Sequence, residues 1–241
     1  MACQPVVVVV AQESIHQRSE RRAIQIITDA VFGLAIGLAA FSLTEYEISA
    51  IEDVYFAIGF FFLTFFFISL FWVWVRRFFE DYPILGGAIA GILYILCFLV
   101  AILPFIMRLF FTSLSGGTEE VAIVAQQWLY PLDMGTISIL VASLHMLFLK
   151  QGRGKVPWDE YKHMVTDGYA AFVFAGGFLL SAIAPATLTL ADLLFFPIPS
   201  PFAELNAKFG VWFILVFIAA IVYVPVELAL RRMERTYEYR E

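Results

Sequence analysis

The sequence predicts an all-α membrane protein with six transmembrane helices and both termini cytoplasmic, and three observations carry that prediction. Of its 241 residues, 61% are hydrophobic and only 15% are charged, well below the charged quarter of an ordinary soluble domain. The chain divides into six apolar stretches, roughly 24–44, 54–75, 84–107, 121–149, 168–191 and 208–230. Each is near the length of about 20 residues with which a helix crosses a hydrocarbon core of about 30 Å. The basic residues, finally, gather on one side of those stretches.

Backbone groups facing lipid need partners within their own segment, so the stretches are read as helices, and none alternates in polarity like a barrel strand. Arg18, Arg21, Arg22, Arg76, Arg77, Lys150, Arg153, Lys155, Lys162, Arg231, Arg232, Arg235 and Arg240 fall on one side, with only Arg108 and Lys208 on the other. The positive-inside rule therefore places both ends and the even-numbered loops in the cytoplasm. The opposite face carries Glu45, Glu47, Glu52, Asp53, Glu119, Glu120, Asp192 and Glu204. Such a face either concentrates cations or is what remains once the lysines and arginines are sorted inward.

Residues 1–20 are expected to form a disordered cytoplasmic tail, 21–232 a single six-helix transmembrane domain, and 233–241 a second cytoplasmic tail. Val6 to Val10 form too short an apolar run for a signal-peptide core.

The first stretch follows Glu20-Arg21-Arg22, ends at Leu43 and is interrupted by one acid, Asp29. An intramembrane carboxylate is costly unless paired, hydrogen-bonded or hydrated, which makes it a functional candidate. The alternative is a helix-start anchor, held by free backbone amides if the helix begins nearby. Gly33, Gly37 and Ala40 form a small-residue face that admits a second helix. Leu34, Leu38 and Phe41 form a stripe about 100° away, which lipid, a neighbouring helix or a pore would accept equally.

The second stretch runs into Arg76 and Arg77, and the third contains Cys97, which is not expected to pair with Cys3 in the tail. The fourth contains Asp133 and His145, the latter read as a hydrogen-bonded core residue, and the sixth contains Glu227. Pro131, Pro185 and Pro225 are expected to bend their helices. His16, His145 and His163 lack the spacing of metal ligands on one helical face, so no metal site is predicted. Nucleophile-and-base sets, phosphate loops and Cys-x-x-Cys pairs are absent, leaving an enzymatic reading nothing to rest on. The basic clusters near Lys150 to Lys162 and Arg231 to Arg240 suit a lipid surface or simply set topology, and neither a cofactor nor a nucleic-acid partner is expected.

Ile27-Thr28-Asp29, continued by Ala30-Val31-Phe32-Gly33-Leu34-Ala35-Ile36, resembles the Phe-Ser-Asp first helix of the endosomal and lysosomal potassium channel family, transmembrane protein 175 and its prokaryotic relatives. Phe71-Trp72-Val73 running into Arg76-Arg77-Phe78-Phe79 is similar to the family's second helix, and Leu103-Pro104-Phe105 to its third. The matches cover roughly residues 20–110. Where the family has an arginine six residues before the aspartate, this chain has Ala23 preceded by Arg21 and Arg22. The family's histidine pair falls on Val75-Arg76, and its threonine eight residues after the aspartate on Gly37.

The resemblance implies a homotetramer in the bilayer of a prokaryotic cell, with the first helices around a pore permeable to potassium. Leu34, Leu38 and Phe41 would then form constriction rings, Gly37 would line the pore, and Arg22, Thr28, Asp29 and Trp72 would form a polar network around helix one. Ordinary potassium channels use carbonyl rings in a Thr-Val-Gly-Tyr-Gly loop, which Asp167-Gly168-Tyr169 does not replace. Selectivity would rest instead on an apolar neck, where partial dehydration costs potassium less than sodium. A proton-conducting or proton-coupled protein, motivated by Asp29, Asp133, Glu227 and His145, is the competing expectation, followed by a non-conducting scaffold.

Overall fold

The computed structural model describes residues 15–43, 51–81, 87–114, 124, 128–152 and 158–183. Five long helices fill them: α1 (Ile15–Ser42), α2 (Ile51–Asp81), α3 (Gly87–Leu114), α4 (Tyr130–Gly152) and α5 (Trp158–Ile183). Each holds a segment long and apolar enough to cross a membrane, namely Ser19–Phe41, Ala57–Glu80, Gly87–Leu109, Tyr130–Lys150 and Tyr161–Ile183. No strand occurs among the described residues. The protein is an all-helical, multi-pass membrane protein. The expected sixth span over 208–230, residues 1–14, the tail at 233–241, Pro185, Pro225 and Glu227 lie outside the described residues.

Several boundaries differ from expectation. Helix α1 begins at Ile15, within the stretch read as a disordered tail, because residues 15–23 contain neither glycine nor proline and are rich in helix-favouring Gln, Arg and Glu. Helix α4 runs from Tyr130, with Trp128 and Leu129 wound as a wider π turn directly before it, and most of the expected start at 121–127 lies outside the described residues. Pro131 is its second residue and follows that turn directly. The proline inside a helix is Pro104 of α3. The fifth span, expected over 168–191, starts earlier, since α5 already runs from Trp158, and the expected end at 184–191 lies outside the described residues. Polar residues at its start hid it from hydropathy, and a buried one among them, Asp167, is satisfied by a partner on α2.

Between lipid-exposed helices there is no hydrophobic drive of the kind water supplies, so close packing and hydrogen bonds hold the bundle. Helices α4 and α5 form the most intimate pair and α1 rests chiefly on α3. Two glycines permit the first contact: a Cβ on Gly135 would stand 2.9 Å from Leu179 Cδ2, and one on Gly168 only 3.0 Å from His145 Cβ. Helix α2 joins that pair through aromatic rings. Phe67 meets Phe174 edge-on at 5.4 Å and Phe178 at 5.0 Å between centroids, the arrangement that ring quadrupoles favour. Thr64 Oγ1 and the Tyr130 hydroxyl, both fully buried, share a hydrogen bond of 3.1 Å between α2 and α4.

Buried hydroxyls elsewhere close onto their own helix. Thr28, Ser138 and Thr166 each donate to the carbonyl four residues back, which satisfies a group that lipid could not. A further tie, between α2 and α5, is ionic: Arg77 Nη1 donates to Asp167 Oδ2 at 3.0 Å, with the aspartate side chain 2% exposed and the arginine 44%. That asymmetry makes the pair directional. Removing the arginine strands a buried carboxylate, whereas removing the carboxylate frees an arginine that already reaches the surface.

Arg77→Ala is accordingly expected to destabilise the protein by about 3 kcal/mol, and Asp167→Asn by only about 1 kcal/mol. Melting temperatures in one detergent check the order, and equal losses would refute it. Gly168→Ala should also lower the melting temperature, because His145 Cβ lies on a fixed backbone and cannot swing aside.

Candidate functional site

Helix α1 has two unlike sides. Ile24, Thr28, Phe32, Ala35 and Ala39 recur at three- and four-residue intervals and are buried, which is the stripe expected of a helix lying on neighbours. Its neighbours there are α3 and α2. The other side is largely exposed. Leu34 is 61% exposed, Leu38 45% and Phe41 63%. A Cβ on either Gly33 or Gly37 would find nothing within 4 Å. The small-residue face and the apolar stripe are therefore both exposed on the bundle, and α1 is the least buried of the five spans.

Asp29 lies at the edge between the two sides. Because α1 starts at Ile15, Asp29 is fourteen positions into the helix, about four turns. The free amides of a helix start reach only the first turn, so the anchor reading fails. The carboxylate finds its donor on α2: Trp72 Nε1 donates to Asp29 Oδ1 at 2.7 Å. A short bond from a neutral donor to a carboxylate is among the stronger hydrogen bonds available inside a bundle.

The other two residues of the expected network go elsewhere. Thr28 is one residue from Asp29 and hence about 100° around the helix, on the buried side. Its hydroxyl donates to the Ile24 carbonyl at 2.9 Å and receives the Cys97 thiol of α3 at 3.6 Å. Arg22 is exposed, and it is Arg21 that reaches α2, with Nη1 3.5 Å from the Phe79 carbonyl oxygen.

Arg76 enters the site without having been expected there. Its guanidinium lies over the Trp72 ring, 5.5 Å from the centroid, while its Nε donates to Glu80 Oε1 at 3.1 Å. The signal was present in the sequence, since Trp72, Arg76 and Glu80 follow one another at four-residue intervals and so share one face of α2.

The remaining intramembrane polar residues form no common site with these. His145 is fully buried, its Nδ1 2.8 Å from the Val141 carbonyl oxygen, and its Nε2 has no partner among the described residues. Asp133 lies in the first turn of α4, where helix amides favour an acid, although its Oδ2 is likewise unpartnered. Among the described residues no group of three His, Cys, Asp or Glu side chains converges as metal ligands would.

No family model and no curated protein matches the chain. Its fold does match a solved structure, described as the crystal structure of a lysosomal potassium-selective channel TMEM175 homolog from Chamaesiphon minutus. The match has a TM-score of 0.58 at 20% sequence identity and covers 85% of this chain and 98% of that one. At this identity the likeness is one of fold.

Trp72→Phe should destabilise the protein by about 2 kcal/mol, because it leaves the Asp29 carboxylate without its donor. Adding Asp29→Asn should restore part of that loss, as a neutral amide tolerates the site better than an orphaned charge. Thermal melting of the two variants tests this, and a double variant no more stable than Trp72→Phe alone would count against the bond.

Proposed function

We propose that the chain is one subunit of a potassium-permeable cation channel of the transmembrane protein 175 family, homotetrameric, with the α1 helices of four copies around a central path. The observation that carries this reading is the bare side of α1. A helix whose opposite side is firmly packed leaves Leu34, Leu38 and Phe41 exposed beside two glycines with open space around them. Isolated apolar residues facing lipid need no explanation, but glycines facing lipid gain nothing from it, whereas against a second helix they allow backbone contact. Support comes from the fold, shared with a protein described as a potassium-selective channel.

In this reading the glycine face seats the neighbouring copy, and the stripe about 100° away turns inward as apolar rings. Ions pass the rings partly dehydrated, which favours potassium over the more tightly hydrated sodium. Gly37 lines the path without a hydroxyl, so discrimination falls to the rings. Asp29, bonded to Trp72, fixes the rotation of α1 on α2 and thereby which residues face the path. The basic ends of the helices lie in the cytoplasm of a prokaryotic cell, and the acidic loops enrich cations at the outer mouth. The function requires no cofactor, metal or nucleic acid and involves no catalysis.

Proton conduction is the second reading, favoured by the unpartnered Oδ2 of Asp133 and Nε2 of His145 in α4. It predicts flux that follows a proton gradient and ignores potassium.

Purified protein in liposomes is expected to pass potassium down its gradient. Leu34→Ala and Leu38→Ala should raise sodium flux relative to potassium by up to about tenfold, equivalent to about 1.4 kcal/mol off the sodium barrier. Absence of potassium flux, or selectivity indifferent to both substitutions, would remove the pore assignment. Gly33→Leu should leave the subunit's helical content and melting temperature near those of the parent while abolishing the tetramer seen by chemical cross-linking. A tetramer that survives it would move the interface off this face.

A further inference from the structure

Asp29, a charged acceptor in the bundle, is bonded by one neutral N–H of α2, and an indole has only that one donor. The strength of the α1 to α2 tie therefore depends on how good a donor Trp72 is. The indole is not isolated. The Arg76 guanidinium stands over its face at 5.5 Å, inside the range of about 6 Å over which a cation is drawn to an aromatic quadrupole. A cation on the ring draws electron density from it and polarises the N–H toward its acceptor, as successive hydrogen bonds polarise one another.

We propose that Arg76 is a positioning residue that acts on Asp29 through Trp72, strengthening the indole-to-carboxylate bond and locking the ring in the orientation that makes it. Three features support a relay over a direct contact. The Nε hydrogen of Arg76 is engaged with Glu80 at 3.1 Å, one turn further along α2. The indole meets both groups, with its face to the guanidinium and its N–H to the carboxylate. Trp72, Arg76 and Glu80 occupy one face of α2 at successive four-residue steps, so the helix itself holds the guanidinium in register.

The consequence for ion flow rests on α1 lining the pore, because only then does the α1 to α2 tie set a conducting radius. The relay itself does not depend on that reading.

The test is a double-mutant cycle between Arg76→Gln and Asp29→Asn, measured on the full-length protein in detergent as unfolding equilibria, in the parent and again in a Trp72→Phe background. With Trp72 present the two substitutions should be coupled about two- to fivefold in the unfolding constant, the scale of an exposed cation on a ring. With Phe at position 72 the coupling should vanish. Arg76→Lys should retain at least half of it. The Trp72 indole proton resonance, identified by its loss in Trp72→Phe, should move upfield in Arg76→Gln and return most of the way in Arg76→Lys. Absence of coupling with Trp72 intact would overturn the proposal, as would coupling that persists unchanged in the Trp72→Phe background, which would mean direct action between the charges. If the cycle behaves as expected while liposome flux is absent in the parent, the relay stands and the channel reading falls. If flux is present and Arg76→Gln leaves it unaltered, the tie holds the subunit together without setting the pore.

Discussion

A carboxylate about four turns into a membrane helix has to be satisfied from inside the protein. Asp29 meets that constraint by taking the one polar hydrogen of Trp72. Because the two residues belong to different helices, meeting it fixes α1 in rotation as well as in place. A turn of α1 by one residue, about 100°, would break the bond and exchange the buried stripe of Phe32, Ala35 and Ala39 with the bare one of Leu34, Leu38 and Phe41. The polar bond thus decides which residues the subunit presents to its surroundings, and apolar packing alone, which is tolerant of small rotations, would decide this less sharply.

The rest of the bundle supplies a frame against which α1 is held. Glycines in α4 and α5 bring those helices close enough that neither tolerates a further methyl group, and the ring cluster of Phe67, Phe174 and Phe178 carries α2 onto them. The Arg77 to Asp167 ion pair adds a contact whose strength comes from the burial of one partner only. The glycines of α1 are of another kind. Gly135 and Gly168 are already filled by neighbours, while Gly33 and Gly37 face open space. The same residue type closes one pair of helices and leaves open space beside another.

Much of the architecture was legible from hydropathy, because lipid makes apolar length a nearly sufficient signal for a spanning helix. Where it misled, polar residues were the cause. The start of α5 was missed since Asp159, Glu160, Lys162 and Asp167 lower its local hydropathy, and hydropathy has no means of registering that Asp167 meets Arg77 ninety positions away. The start of α1 was missed for the same reason, a polar first turn read as a tail. At the site, the meeting of Asp29 and Trp72 was reachable only through a resemblance, as no periodicity relates positions forty-three residues apart. The side on which Thr28 falls was reachable from helix geometry, since adjacent residues cannot share a face.

Arg76 illustrates how a network can be rebuilt when its parts change. A polarisable ring that hands one hydrogen to a carboxylate can be tuned by whatever occupies its face, and the four-residue step along α2 determines that the next residue in line has access to it. In the proposed relay the Arg76 guanidinium raises the ring's capacity as a donor from a partly exposed position, where it is paired with Glu80. The charge that steadies α1 therefore need not lie on α1 at all. In that relay the positive charge acts on Asp29 from the neighbouring helix, through the one hydrogen that Trp72 donates.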